Sequence, residues 1–255
     1  MVISMTGITD WFSRSLADFG AKLQMVFVEE DRYQQMIRGF LNTLQITAGA
    51  LGVGIIIGIV VAAIRSSYDK NKESLKLRGG VGYHILRILN LICRFYLTVI
   101  RGTPVVVQLM IAYLIIFASS KNGVPVAIFA FGVNSGAYVA EIFRGGIMSI
   151  DGGQFEAGRS LGFNYLQTMW HIIIPQMFKA VLPTLCNEFI ALLKETSVAG
   201  YVGVVDLTKA GNIIAGRTFN YFIPLFTVAL VYLTLVVILS WLVGRLERRL
   251  RRSER

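Results

Sequence analysis

The sequence predicts an all-α polytopic membrane protein with about five transmembrane helices. Of its 255 residues, 55% are hydrophobic and only 16% are charged, and the mean hydropathy is +0.61. Several continuous apolar runs reach the ~20 residues that an α-helix needs to cross a bilayer. These runs do not alternate with polar residues, so a β-barrel, the other structure that satisfies its backbone in lipid, is not expected.

The positive charge of the chain indicates membrane topology and argues against a nucleic-acid partner. The formal net charge is +10, but the basic residues gather beside the ends of the apolar runs, as topology determinants do. Cys93 and Cys186 lie inside predicted membrane helices, where they are interpreted as small apolar side chains. Neither His84 nor His171 has a second ligand type nearby at metal spacing, so no metal site is expected.

Residues 1–35 are predicted to form an amphipathic segment on the periplasmic side. They lack the basic stretch, the apolar stretch and the small-residue cleavage site of a signal peptide. We expect a helix that lies on the membrane surface, and a helix that packs on a soluble partner is the alternative. The apolar residues that recur at three- and four-residue spacing are Ile8, Trp11, Phe12, Leu16, Phe19 and Leu23.

The first predicted span is 36–64, and a polar linker is predicted at 65–80. The linker carries five Lys and Arg residues and ends in Gly79-Gly80. By the positive-inside rule the linker is cytoplasmic, which places the N-terminus outside. Within the span, four glycines either allow the close approach of another helix or are merely tolerated in lipid: Gly49, Gly52, Gly54 and Gly58.

The second apolar region, 83–118, is interrupted by Arg101-Gly102-Thr103-Pro104. Pro104 removes a backbone donor and disfavours helical geometry at Thr103. We therefore count this region as one span with an unwound turn near mid-membrane. An arginine at such depth is expected to face a partner or a wet cavity.

The rest of the chain is predicted to hold three further spans, and 36–250 is taken as the transmembrane domain. The predicted segments are a span at 124–147, a cytoplasmic segment at 148–174, a span at 175–202, a polar external loop at 206–220 and a last span at 221–243. Five arginines between 245 and 252 place the C-terminus inside, with 251–255 as a basic cytoplasmic tail.

No motif of an ATPase or a hydrolase is found in the sequence. The phosphate-binding pattern GxxxxGK[ST] does not occur, so this chain is not expected to hydrolyse ATP alone. No serine, cysteine or metal constellation of a hydrolytic site is present either. We therefore expect no enzyme activity and no cofactor in this chain.

The cytoplasmic segment is predicted to carry a helix over 156–165 that docks on another protein. Glu156 is expected at its start, because negative charge stabilises a helix N-terminus. Three residues are small enough to fit a groove, and three more offer apolar anchors. The small residues are Ala157, Gly158 and Gly162, and the anchors are Leu161, Phe163 and Tyr165.

Four motifs in order resemble those of importer-type ABC permeases of the polar amino acid uptake family, which includes the histidine, arginine and glutamine permeases. One of them has the spacing of the EAA loop: Glu156-Ala157-Gly158 with Gly162, Ile172 and Pro175. The others are Arg101-Gly102-Thr103-Pro104 with Gln108, residues 137–146, and Asn187-Glu188-Phe189 followed by 193–197. The resemblance covers about 36–250 and departs from the family at Gly158, where alanine is usual, and at Ile174, where leucine is usual.

The resemblance implies a type I ABC importer permease fold in the inner (plasma) cell membrane. It implies that the helix at 156–165, with Pro175 after it, docks into a cleft of a separate ATP-binding cassette subunit that holds ATP-Mg. It also implies a second permease copy, identical or related, and an extracytoplasmic substrate-binding protein. The cargo implied is a polar amino acid, with basic amino acids as one option.

The intramembrane charges are the candidate substrate site. Glu188 and Glu195 are seven residues apart, which puts them on one helix face ~10 Å apart along the axis. Carboxylates at membrane depth indicate function, and we expect both to accept an ammonium group. Arg101 with Thr103 is the candidate carboxylate clamp, and Glu141 is a further candidate. In the alternative, Arg101, Glu141, Lys194 and the two glutamates form structural ion pairs within the bundle.

Two other functions fit the same charges. In an ion-coupled secondary carrier or channel, Glu188 and Glu195 relay a proton or a cation. A membrane sensor or scaffold that transports nothing is the third option. The acidic positions are general to the family that the chain resembles, so they do not by themselves establish a cationic substrate.

Overall fold

The computed structural model describes residues 17–78 and 80–252, and within them the chain is helical with no strand. Residues 17–23 are helical and lead through a π-helical turn, Gln24–Val28, into the main bundle. The helices that follow are α1 (Arg32–Arg78), α2 (Val81–Gly102), α3 (Val105–Ile111), α4 (Gly123–Met148), α5 (Gly152–Ser160), α6 (Tyr165–Thr168), α7 (Ile174–Glu195), α8 (Leu207–Thr218) and α9 (Phe222–Arg252).

Four helices in the described residues are long and apolar enough to cross a membrane. They are Ala17–Lys70, Val81–Gly102, Gly123–Met148 and Phe222–Leu250. The predicted all-α membrane fold is thereby confirmed. The helix α7, which forms most of the predicted span at 175–202, has 22 residues but carries Lys179, Glu188, Lys194 and Glu195. Its crossing of the membrane stays a prediction.

The predicted linker at 65–80 is helical up to Arg78, so its description as a polar linker was wrong. The helix α1 runs for 47 residues and continues without interruption past the end of the predicted span. The stretch from Arg65 to Arg78 contains no glycine or proline, and its lysines, glutamate and leucines are good helix formers. An ion pair between Asp69 and Arg144 of α4, at 3.5 Å, ties this extension to the bundle.

The predicted break after Arg101-Gly102 is confirmed. Thr103 and Pro104 are both extended, with φ/ψ of −122°/146° and −64°/134°. Gln108 closes the gap, because its Nε2 donates to the Ile100 carbonyl at 2.8 Å and to the Thr103 carbonyl at 3.1 Å. Helix α2 alone reaches the length and apolar character of a span.

The helix α4 lies at the centre of the bundle and packs along α1 and against α7. Its buried face is rich in small residues, which allows close helix packing. A Cβ atom on Gly58 of α1 would lie 2.5 Å from Val139 Cγ1. The predicted close approach therefore holds at Gly58, whereas Gly52 has open space beside it.

The predicted polar external loop at 206–220 was wrong, because most of it is helix α8. Asp206 caps that helix, and its side chain accepts hydrogen bonds from the backbone N–H groups of Thr208 and Lys209. The apolar residues Leu207, Ala210 and Ile214 then recur at helical spacing and are fully or almost fully buried. A capping aspartate ahead of such a pattern is a helix-start signal.

The N-terminal segment contributes to the same part of the bundle. Val26 is fully buried and packs in a cluster with Leu207, Ala210 and Ile214 of α8. Residues 24–35, assigned to a separate segment on the sequence, thus pack against the transmembrane domain. The predicted amphipathic helix falls mainly on residues 1–16, which lie outside the described residues.

Candidate functional site

The segment that was predicted to be cytoplasmic contains helix α5, which starts four residues earlier than predicted. Asp151 caps the helix, since its Oδ1 accepts a 2.6 Å hydrogen bond from the backbone N–H of Gly153. Gly152 and Gly153 are therefore the first residues of the helix, and Glu156 lies in its middle with an exposed side chain. The prediction that Glu156 stabilises the helix N-terminus was wrong, because Asp151 holds that position.

The end of α5 is set by Gly162. Its φ of +81° is in the left-handed region, which favours glycine. The Gly162 N–H donates to the Arg159 carbonyl at 2.9 Å, and the Phe163 N–H donates to the Gly158 carbonyl at 3.0 Å. This pair of bonds is a Schellman motif. The predicted single helix over 156–165 was wrong, because the chain turns at 161–164.

The second part of the segment, α6, starts at its own capping box. The Asn164 side chain accepts from the Gln167 N–H, and the Gln167 side chain accepts from the Asn164 N–H, both at 2.9 Å. Gly158 of α5 packs on Thr168 of α6, where a Cβ would lie 2.7 Å from the threonine Oγ1. The absence of a side chain at Gly158 thus allows α5 and α6 to pack closely, with Thr168 against the Gly158 backbone.

Several apolar side chains of the segment remain exposed. Leu161 is 71% exposed, Leu166 75% and Trp170 70%. Large apolar side chains exposed together on one segment are typical of a protein-binding surface. The predicted docking residues Glu156, Ala157 and Pro175 are also exposed.

The other face of the segment contacts the extension of α1. Lys70 Nζ lies 4.4 Å from the ring centroid of Phe155, which is buried. The Tyr165 hydroxyl is hydrogen-bonded to Ser67, and burial raises the pKa of that phenol. Tyr165, predicted as an anchor for a partner, instead packs against this chain. The extension of α1 therefore connects the segment to the membrane helices.

Glu141 of α4 is the centre of an ion-pair network that joins three helices. Its Oε1 lies 2.7 Å from Arg65 Nη1 of α1, and its Oε2 lies 3.1 Å from Arg144 Nη2. Arg101 of α2 is more distant, at 4.0 Å from Oε1. Because Arg144 also pairs with Asp69 of α1, the network reaches the extension that contacts the cytoplasmic segment.

Residues of α4 contact the residues at the break between α2 and α3. Arg101 has a half-exposed side chain whose guanidinium lies 5.6 Å from the Tyr138 ring centroid. The Thr103 hydroxyl accepts from Gln108 Nε2 at 2.8 Å, and Gln108 Oε1 accepts from Asn134 Nδ2 at 3.0 Å. Asn134 is buried near the middle of α4, so a polar chain connects it to the break.

Glu188 and Glu195 have different surroundings on α7. The Ser135 hydroxyl of α4 donates to Glu188 Oε1 at 2.8 Å, and Glu188 is half-buried. Glu195 is the last residue of α7 and is exposed. No hydrogen bond or ion pair joins Arg101 to either glutamate within 17–78 and 80–252. The structure therefore gathers the candidates into two groups, Arg101 with Glu141 and Glu188 with Ser135.

Arg65, Asn134 and Ser135 belong to these groups, but the sequence did not single them out as site residues. Arg65 was interpreted only as a topology charge, although it forms the shortest ion pair of Glu141. Asn134 and Ser135 are adjacent polar residues inside an apolar span. That pattern is itself a signal, because buried polar groups in a membrane helix need partners.

Comparison with known proteins gives consistent similarities. Residues 79–252 match the family model of the binding-protein-dependent transport system inner membrane component. The chain is 33% identical to the arginine transport system permease protein ArtQ of Bacillus subtilis, over 86% of this chain and 94% of that one. It is 32% identical to the glutamine transport system permease protein GlnP of Escherichia coli strain K12, over 85% and 93%.

Solved structures agree with these sequence similarities. A chain from the crystal structure of an amino acid ABC transporter with histidines superposes with a TM-score of 0.74 at 35% identity, over 88% of this chain and 98% of that one. A chain of the MetNI methionine ABC transporter, at 19% identity, has a TM-score of 0.69 over 87% and 99%, which shows that the fold is shared.

Proposed function

The chain belongs to the family of binding-protein-dependent transport system inner membrane components, and from this premise we propose that it is the permease subunit of an ATP-driven importer of polar amino acids. Basic amino acids are among the candidate substrates, since the relatives include an arginine permease and a transporter crystallised with histidines. In the orientation that we propose, the N-terminus lies outside the inner membrane and the C-terminus lies in the cytoplasm.

Coupling to ATP is proposed to enter at the segment 151–175. A separate ATP-binding cassette subunit, which holds ATP-Mg, would seat α5 in its cleft and contact the exposed Leu161 and Leu166. The Schellman motif at Gly162 and the capping box at Asn164 fix the backbone at both ends of the turn. A turn fixed in this way transmits force as a rigid body.

The main support for this proposal is that the inner face of the segment contacts α1, and that α1 takes part in the Glu141 network. The Phe155 ring lies under Lys70, and three residues earlier in α1 Ser67 is hydrogen-bonded to Tyr165. Asp69 in the same turn pairs with Arg144. A displacement of α5 therefore acts directly on α1 and α4, the helices that hold the candidate substrate residues.

We propose that Glu188 accepts the ammonium group of the substrate and that Glu195, at the end of the same helix, offers a second carboxylate. Half-burial of Glu188 strengthens its interaction with a cation, because fewer water molecules compete for it. Arg101 is proposed as the carboxylate clamp. Its guanidinium is half-exposed and 4.0 Å from Glu141, which already has two closer arginines, so it remains open to an anion.

For Glu141 and Thr103 the contacts favour structural roles. Both oxygens of Glu141 are occupied by arginines, and the Thr103 hydroxyl is part of the hydrogen bonding that closes the break. Direct contact of these two residues with substrate stays a prediction. One copy has too few spans to enclose a path, so a second permease copy and an extracytoplasmic binding protein complete the proposed assembly.

The test is co-purification of the permease with its proposed ATP-binding subunit. Leu161→Asp places a charge on an exposed side chain, so the permease should fold and lose the ATPase subunit. Tyr201→Asp is the matched control, since Tyr201 is 75% exposed and lies outside the segment. Retention of the ATPase by the Leu161 variant contradicts the proposal. Substrate uptake by the permease alone in vesicles without ATPase supports the ion-coupled carrier instead.

A further inference from the structure

A basic cavity of about 510 Å³ lies between the extension of α1 and the first half of α2. Its lining contains three basic side chains and no carboxylate. The residues that line it are Tyr68, His84, Arg87, Ile88, Asn90, Leu91 and Arg94. None of them belongs to the cytoplasmic segment, the Glu141 network or the Glu188 site. This cavity is therefore separate from the proposed transport function, from which it takes only the cytoplasmic orientation.

The two arginines of the cavity are free to bind an anion. Arg87 and Arg94 are seven residues apart, which places them on the same side of α2 about 10 Å apart along the axis. Both are exposed, and neither forms an ion pair or a side-chain hydrogen bond within the described residues. The next arginine in this series, Arg101, lies 4.0 Å from Glu141 and belongs to the Glu141 network instead.

Asn90 is a second, independent indication of a ligand. Its side chain is only 6% exposed, and it lines the cavity between the two arginines. It makes no hydrogen bond with any residue that the structure describes. The amide atoms are open to the cavity, so a polar ligand in the cavity would supply their hydrogen-bond partners.

The surroundings indicate a lipid rather than a soluble anion. The outer side of α2 presents apolar side chains next to the arginines: Ile88 is 57% exposed, Ile92 58% and Phe95 70%. Farther along, Cys93 and Leu97 pack on Val61 at the cytoplasmic end of the predicted first span. The cavity thus lies near the headgroup level of the cytoplasmic leaflet, with apolar surface on the membrane side.

We propose that this cavity binds the phosphate headgroup of an anionic phospholipid of the cytoplasmic leaflet. Arg87 and Arg94 contact the phosphate oxygens, and the Asn90 amide donates to the headgroup. The acyl chains lie on the exposed apolar side of α2. A bound lipid would fill the angle between α1 and α2 and hold the extension of α1 in place.

Native mass spectrometry of the full chain in mild detergent tests this site. Mixed micelles supply either phosphatidylglycerol or phosphatidylcholine with the same acyl chains. The wild-type chain should retain phosphatidylglycerol on the order of tenfold more strongly, and Arg87→Gln/Arg94→Gln should remove that preference. Arg248→Gln/Arg249→Gln removes two exposed charges from the other basic helix end and should leave it unchanged. Equal retention of the two lipids by wild type overturns the proposal, as does equal loss in the two double variants.

Two further arms separate the alternatives. Asn90→Leu keeps every charge and suits an apolar core, so a fall in phosphatidylglycerol retention supports headgroup contact, and unchanged retention contradicts the role of Asn90. Inorganic phosphate at millimolar concentration should not displace the lipid. Displacement by phosphate alone would identify a free-phosphate site and overturn the lipid assignment.

Discussion

Ser135 Oγ lies 2.8 Å from Glu188 Oε1, and this hydrogen bond joins the buried centre of α4 to α7. Ser135 is fully buried, whereas Glu188 is half-buried. Within the described residues Oε2 of Glu188 makes no hydrogen bond. One carboxylate oxygen is thus fixed by Ser135, and the other has no hydrogen-bond partner among the described residues.

Glu188→Gln separates the charge of this residue from its hydrogen bond. The glutamine carbonyl still accepts from Ser135, so the contact between α4 and α7 is kept, but the negative charge is lost. If Glu188 binds the substrate ammonium, uptake by the reconstituted assembly should fall on the order of tenfold, since a charge-assisted hydrogen bond contributes about 1.5–3 kcal/mol.

Ser135→Ala is the matched control for that experiment. It removes the fixing hydrogen bond and keeps the carboxylate, so uptake should fall less than with Glu188→Gln. Unchanged uptake of the glutamine variant contradicts a substrate contact and supports the sensor or scaffold alternative.

Glu141→Gln should destabilise the chain, because it leaves Arg65 without a carboxylate partner and Arg144 with only the more distant Asp69. The Glu141 side chain is 25% exposed, so a loss of roughly 1–3 kcal/mol is expected, less than for a fully buried pair. Thermal unfolding in detergent measures it. Glu73→Gln removes an exposed carboxylate of α1 and should leave the midpoint unchanged; an equal effect of the two variants would contradict the network.

The main features of the fold could be predicted because apolar length and charge position are local properties. The break at Pro104 followed from the missing N–H, and the central span followed from its apolar run. The extension of α1 over 65–78 was missed because its basic residues were interpreted only as determinants of membrane topology. In the structure Arg65 pairs with Glu141, 76 residues away, and no local pattern specifies such a partner.

The sequence allowed the candidate site residues to be selected, but it did not show which of them lie close together. Charged residues at membrane depth are few, so Arg101, Glu141 and Glu188 could be selected. Which of them face each other depends on how α2, α4 and α7 cross, and the sequence does not give those crossings. Helix α8 is a different case, because the sequence does contain its start signal. Asp206 and the spacing of Leu207, Ala210 and Ile214 indicate a helix, but the polar residues among them led to the prediction of a loop.

Gly158→Ala tests the packing between α5 and α6. The added Cβ would lie 2.7 Å from Cγ2 and Oγ1 of Thr168, so α5 and α6 must separate. ATPase activity of the assembly should become less responsive to substrate. Thr168→Ala removes the contacting atoms, and the double variant should recover coupling, which is a non-additive result. Additive losses in the two variants would contradict this contact.

Gly162 is predicted to act through its backbone conformation, because a Cβ there has open space but a φ of +81°. Gly162→Val should cost about 1–2 kcal/mol or more and weaken binding of the ATPase subunit. Gly162→Asn should cost less, because asparagine adopts the left-handed region more readily. Binding affinity for the ATPase, measured for both variants, checks the order; equal affinities would indicate that this turn does not need glycine.

Gln108→Leu should open the break between α2 and α3. The leucine has a similar size but leaves the Ile100 carbonyl and the Asn134 amide without the bonds that Gln108 makes at 2.8 Å and 3.0 Å. Unsatisfied buried polar groups cost about 1–3 kcal/mol each, so a lower unfolding midpoint is expected. Gln108→Glu keeps an acceptor for Asn134 but loses the donor to Ile100, so its midpoint should fall between those of wild type and Gln108→Leu. Wild-type stability of the leucine variant would show that Pro104 alone determines the break and that Gln108 only occupies the space beside it.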